Sequence, residues 1–96
     1  MNTNELSSLW ESVEEVMYAP TKKEAKPLVN RLKFITTKIK TRIDNSYLSN
    51  KLDEVIMYAE EASGRVKDKA HWESCAQLSW YTFESEVKTH NKNEET

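Results

Sequence analysis

The sequence predicts an all-α protein, a small antiparallel bundle of three to four helices. Three observations lead there: every apolar periodicity is helical, the 96 residues hold one Gly and two Pro, and the longest unbroken apolar run extends only from Val55 to Ala59. Apolar residues recurring at intervals of three and four share one helix face. An all-β chain of this length would need several glycines for its tight turns, and a membrane-spanning helix needs about 20 apolar residues in succession. The length fits one domain, expected over residues 1–89, followed by a polar tail over 90–96.

The first run carries Leu6, Leu9, Trp10, Val13, Val16 and Met17 on one stripe, with Glu5, Glu11, Glu14 and Glu15 on the other side. Asn2 stands three residues before Glu5, as in a capping box. Pro20 has no amide hydrogen and restricts the residue before it, so the helix should end by then. A helix over 4–18 is expected. Thr21 and Glu24 form a second capping box, but Pro27 is comfortable only in a first turn. The second helix therefore starts at Thr21 or near Lys26. Its expected core stripe is Leu28, Leu32, Ile35, Ile39 and Ile43, with Val29 beside it.

Asp44, Asn45 and Ser46 have side chains that compete for backbone hydrogen bonds, which predicts a break there, reaching at most to Asn50. The third run is Leu48, Leu52, Val55, Ile56, Ala59 and Ala62, with Gly64 where a C-cap would stand. The fourth is Val66, Trp72, Ala76, Trp80, Phe83 and Val87. Whether Gly64 separates two helices or lies within one long helix is open at this stage, since a helical glycine costs only about 1 kcal/mol. His90 to Thr96 contain no apolar side chain and are expected to be disordered.

The net charge of −2 hides a strong polarity. Residues 1–20 sum to −4, residues 21–51 to +7 and residues 52–96 to −5. A basic second helix between acidic neighbours has two explanations. One is internal neutralisation, with pairs across the grooves that help select the helix arrangement. The other is a strip for an anionic partner, a nucleotide or nucleic acid, built from Lys26, Arg31, Lys33, Phe34, Lys38, Lys40 and Arg42. At about 100° per residue, Arg31, Lys38 and Arg42 fall on one flank of the apolar stripe and Lys33 and Lys40 on the other. Phe34 points away from the stripe between Arg31 and Lys38.

The fourth run is apolar on more than one side. Beyond its main stripe, His71, Cys75 and Leu78 share a second face and Tyr81 adds a third direction. Trp72, Trp80, Tyr81 and Phe83 make four of the nine aromatics. A helix apolar nearly all round is central or pressed against another molecule, and Trp and Tyr are enriched at interface hot spots. Trp72, Cys75, Leu78, Trp80 and Tyr81 are the expected self-association or partner surface, against the alternative of a broad core face.

Catalytic constellations are absent from the sequence. His71 and Cys75 are one turn apart, with Asp68 as a third candidate ligand, but a zinc site wants a fuller set; a buried His beside a small Cys is the expectation. Glu-x-x-His, which di-iron bundles use twice, does not occur. Glu11-x-x-Glu14 has the form of half of the all-α nucleotide pyrophosphohydrolase motif, and the Glu-x-x-Asp half is missing. One glycine cannot build a phosphate-cradling loop. The expectation is a non-catalytic, cytoplasmic binding protein with no cofactor, metal or membrane contact. It would be a small inhibitor or adaptor, of the kind carried by phages and mobile elements, acting through protein–protein contacts as a homo-oligomer. The alternative is a binder of an anionic ligand through the second helix.

Overall fold

The computed structural model describes the backbone of residues 1–95 and the side chains of residues 1–89. The backbone of 90–95, expected to be part of a disordered tail, is helical, and the side chains of 90–96 lie outside the described residues. The chain folds into helices α1 (Thr3–Met17), α2 (Lys22–Arg42), α3 (Ser46–Ala62) and α4 (Lys69–Glu95), with no strand among the described residues. The starts of α1, α2 and α3 are specified locally. The Asn2 side chain accepts from the Glu5 backbone N–H at 2.8 Å and the Glu5 carboxylate accepts from the Asn2 N–H, completing the capping box. Thr21 and Asn45 cap α2 and α3 by the first half of that motif, accepting from the backbones of Glu24 and Leu48; for α2 the structure shows this half in place of the full capping box that the sequence suggests. Pro27 lies inside α2. It and Lys23, whose carbonyl it leaves without a helical donor, are both exposed to water.

Short connections make successive helices antiparallel, and the side-chain register shows it. Along α2–α3, Lys33 meets Glu60 and Lys40 meets Asp53. Along α3–α4, the Ser79 hydroxyl donates to the Glu54 carboxylate at 3.2 Å, and Trp72 lies against Tyr58 with 6.0 Å between centroids. Helices α1, α2 and α3 pack against one another as a triangle, and α4 lies mainly on α3. It reaches α1 through Trp80, stacked on Trp10 at 5.3 Å, and through Lys69, whose ammonium donates to the Met17 carbonyl at 2.6 Å. So α4 fills the α1–α3 groove of a three-helix core. The grooves α1–α2 and α2–α3 are left open.

The central helix is α3, buried through Leu48, Leu52, Val55, Ile56, Ala59 and Ala62. The α2 stripe is rotated from the expected one. Ala25, Val29, Leu32, Thr36 and Ile39 are buried, while Leu28 and Ile35 are half-buried on the side toward α1 and Ile43 is half-buried at the C-cap. Wedged between two neighbours, α2 centres its contact arc on the line through Thr36, whose hydroxyl is satisfied by the Lys33 carbonyl at 3.1 Å. Val66 leaves the expected fourth stripe altogether; it sits in the α3–α4 loop, fully exposed.

Gly64 separates α3 from α4. Its φ is +66°, and its N–H donates to the Ala19 carbonyl at 3.0 Å, joining the two loops at this end of the bundle. A Cβ here would stand 2.8 Å from the Lys22 backbone nitrogen and 3.0 Å from the Thr21 carbonyl carbon. Gly64→Ala should therefore destabilise by about 2 kcal/mol or more, combining left-handed strain with a backbone clash; urea denaturation measures it. Trp80→Ala, which empties the α1–α4 contact, should cost about 3–5 kcal/mol in the same experiment.

Candidate functional site

The two open grooves divide the basic helix between them. On the α3 side, Lys33 lies 4.0 Å from the Glu60 carboxylate and Lys40 bonds the Asp53 carboxylate. Between these pairs a recess of about 450 Å³ is lined by Thr36, Thr37, Ile56 and Met57. These two lysines are engaged internally, as neutralisation would have it. Lys26 lines a smaller recess near the start of α2, beside Val29 and Asn30.

The α1–α2 groove differs. It encloses about 540 Å³, with Leu9, Ile35 and Ile39 along its floor. The α1 rim is made of the short polar side chains Asn4, Ser8 and Ser12 together with Glu5, while Arg31, Phe34, Lys38 and Arg42 form the α2 rim. Among the described residues Glu5 is the one carboxylate lining it, and Arg42 holds that group at 2.8 Å. That hydrogen bond, with a smaller contribution from the Asn2 N–H, holds the Glu5 carboxyl below its ordinary range. Arg31 and Lys38 make no ion pair among the described residues. Phe34 is 63% exposed, and the Lys38 ammonium lies 4.4 Å from its ring centroid. The sequence-predicted strip is thus brought together only in part. Arg31, Phe34, Lys38 and Arg42 share one groove, Lys33 and Lys40 face another, and Lys26 stands apart.

No family model, curated protein or solved structure matches this chain. The surfaces themselves carry whatever can be said of function.

The expected α4 surface also divides. Trp80 is 3% exposed, sandwiched between Trp10 and Phe83, and belongs to the core of a single chain. Trp72 is half-buried, with Tyr58 on one side and the Arg65 guanidinium 5.2 Å from its ring. Leu78 and Tyr81 are 67% and 60% exposed and point outward, with Cys75 half-buried beside them. His71 is exposed, which corrects the expectation of a buried histidine; α4 turns it to solvent against the edge of Trp72, and its Nε2 lies 3.8 Å from the Cys75 Sγ. No cluster of three or more His, Cys, Asp or Glu able to hold a metal is present among the described residues. None of the described helices is long and apolar enough to cross a membrane.

Sequence reading missed the α1 rim. Asn4, Ser8 and Ser12 recur every four residues, a small-residue line that marks where another helix can approach closely. The pairing of Glu5 has a direct consequence. A group with a depressed folded pKa adds stability above its ordinary pKa and loses it as pH falls through the depressed value. Arg42→Ala should let the Glu5 carboxyl rise toward the usual value of about 4.3, and should flatten the loss of stability on the acid limb. Side-chain carboxyl titration by NMR reads the first effect and denaturation as a function of pH the second.

Proposed function

We propose that this protein is a non-catalytic binding module that works through protein–protein contact and self-associates, in the manner of a small inhibitor or adaptor. The observation that carries this reading is the outer face of α4. Over four turns its exposed positions are His71, Ser74, Gln77, Leu78, Tyr81 and Ser85, without a Lys, Arg, Asp or Glu, and Cys75, Thr82, Glu73 and Glu84 lie half-buried along its edges. In a chain where 31% of residues are charged, an uncharged helix face carrying an exposed Leu and an exposed Tyr is what an interface core looks like before it is covered.

A second reading rests on Arg31 and Lys38, which are unpaired within the described chain beside an apolar floor. It makes the α1–α2 groove a seat for an anionic ligand, a nucleotide or a nucleic acid. Two facts weigh against base stacking there. The Lys38 ammonium already covers the Phe34 ring, and Lys33 and Lys40 are committed to α3.

Association is expected at micromolar concentration by light scattering or sedimentation. The double variant L78S/Y81S, altered only at exposed positions, should weaken it by about tenfold or more, since burial of such side chains contributes roughly 1.5–3 kcal/mol each. Its thermal unfolding should stay within a few degrees of the parent. A parent chain that is monomeric throughout this range refutes the reading. An anionic ligand bound through phosphate contacts would instead show affinity falling steeply with salt, and loss of binding in R31E/K38E.

A further inference from the structure

We propose that self-association is head-to-tail: the outer face of α4 in one copy docks into the α1–α2 groove of the next. The inference rests on the self-association proposed above and specifies its geometry. Each copy offers one face and one groove, a heterologous contact that builds rings or open chains.

The bundle itself supplies the precedent. Helix α4 already occupies the α1–α3 groove of the three-helix core by its inner stripe, so a helix is a fitting occupant for a neighbouring groove of the same core. The α1–α2 groove has an apolar floor in Leu9, Ile35 and Ile39 to receive Leu78 and Tyr81, and its α1 rim of Asn4, Ser8 and Ser12 lets a helix come close. From Arg31 to Arg42 it runs about 16 Å along α2, and the uncharged stretch of α4 from His71 to Ser85 runs about 21 Å, at 1.5 Å per helical residue. The α2–α3 groove is less suited, because Lys33–Glu60 and Lys40–Asp53 already bridge it.

Charge decides between this arrangement and two α4 helices set face to face. On a helical wheel, carboxylates border both edges of the outer face, Glu73 and Glu84 on one and Glu86 on the other. Among the described residues Lys88 lies on this side of the helix, paired to Glu84 at 3.5 Å. Two such faces brought together place acid beside acid. Among the described residues the groove presents three cations against Glu5 alone, and Arg31 and Lys38 make no ion pair. An acidic-edged face entering a basic-rimmed groove is complementary in both polarity and charge.

The test is complementation between two broken copies. L78S/Y81S lacks the face and keeps the groove; R31E/K38E lacks the groove and keeps the face. All four positions are exposed, and far-UV circular dichroism confirms that both variants fold. Each alone should associate at least about tenfold more weakly than the parent. Mixed in equal amounts, they should form a 1:1 pair with near-parental affinity, because one intact face then meets one intact groove. Mass by light scattering, with one variant fluorescently labelled, reads the pair. A mixture that stays monomeric while the parent associates overturns the head-to-tail geometry and leaves self-association standing. R31E/K38E associating like the parent overturns it as well. A monomeric parent removes the self-association reading and this inference with it.

Discussion

Helix α3 touches each of the other three helices, and that demand shapes everything around it. A helix buried on two sides needs apolar residues over a wide arc and small ones where a neighbour presses close. Leu48, Leu52, Val55 and Ile56 provide the first, and Ala59 and Ala62, both fully buried, the second. With α1 and α2 already against it, α3 shares a groove with each, and α4 takes the one shared with α1, where Trp80 stacks on Trp10. That placement turns Ala76, Trp80, Phe83 and Val87 inward and leaves Leu78 and Tyr81 facing water. The exposed surface on which the proposed function depends is thus a by-product of where the core needed α4.

One end of the bundle is organised by backbone chemistry. Helix C-termini leave carbonyls without donors, and lysines brought from distant parts of the chain supply them. Lys22 bonds the Glu60 carbonyl, and also reaches the Glu61 carbonyl at 3.2 Å and the Ser63 hydroxyl at 3.3 Å. Lys69 bridges the Met17 and Ala62 carbonyls, 2.6 and 3.0 Å away. A cation near a helix C-terminus is favoured by the helix dipole as well as by the hydrogen bond. These contacts, with the Gly64 amide on Ala19, tie the ends of α1 and α3 to the starts of α2 and α4. They also explain why part of the basic segment is structural: Lys22 serves the fold.

The same logic sorts the rest of the basic helix. Lys33 and Lys40 meet carboxylates because α2 and α3 run antiparallel in a fixed register, and Arg42 meets Glu5 because α1 does. Such exposed pairs add little stability individually, but they mark which grooves are closed to a charged partner. Arg31 and Lys38, lacking a carboxylate opposite on α1, keep the α1–α2 groove basic. The acids of α1 after Glu5, namely Glu11, Glu14 and Glu15, face elsewhere, and Asn4, Ser8 and Ser12 take the groove side instead.

Much of this was local and therefore readable. Caps at Asn2 and Thr21, the stop before Pro20, the buried stripes of α1 and α3 and the outward Phe34 follow from side-chain chemistry and a period of 3.6, properties a helix has before it packs. The rotation of the α2 stripe, the choice between core and partner surface for Trp80, and the exposure of His71 did not follow, because each depends on how many neighbours a helix has and from which side they come. An amphipathic pattern says which residues prefer to be buried; α4 carried more of them than one face can hide. The helical period sets Trp80 on the main stripe apart from Leu78 and Tyr81, but only the packed bundle could show that this stripe alone is covered, with Trp80 against Trp10, some seventy residues earlier in the chain.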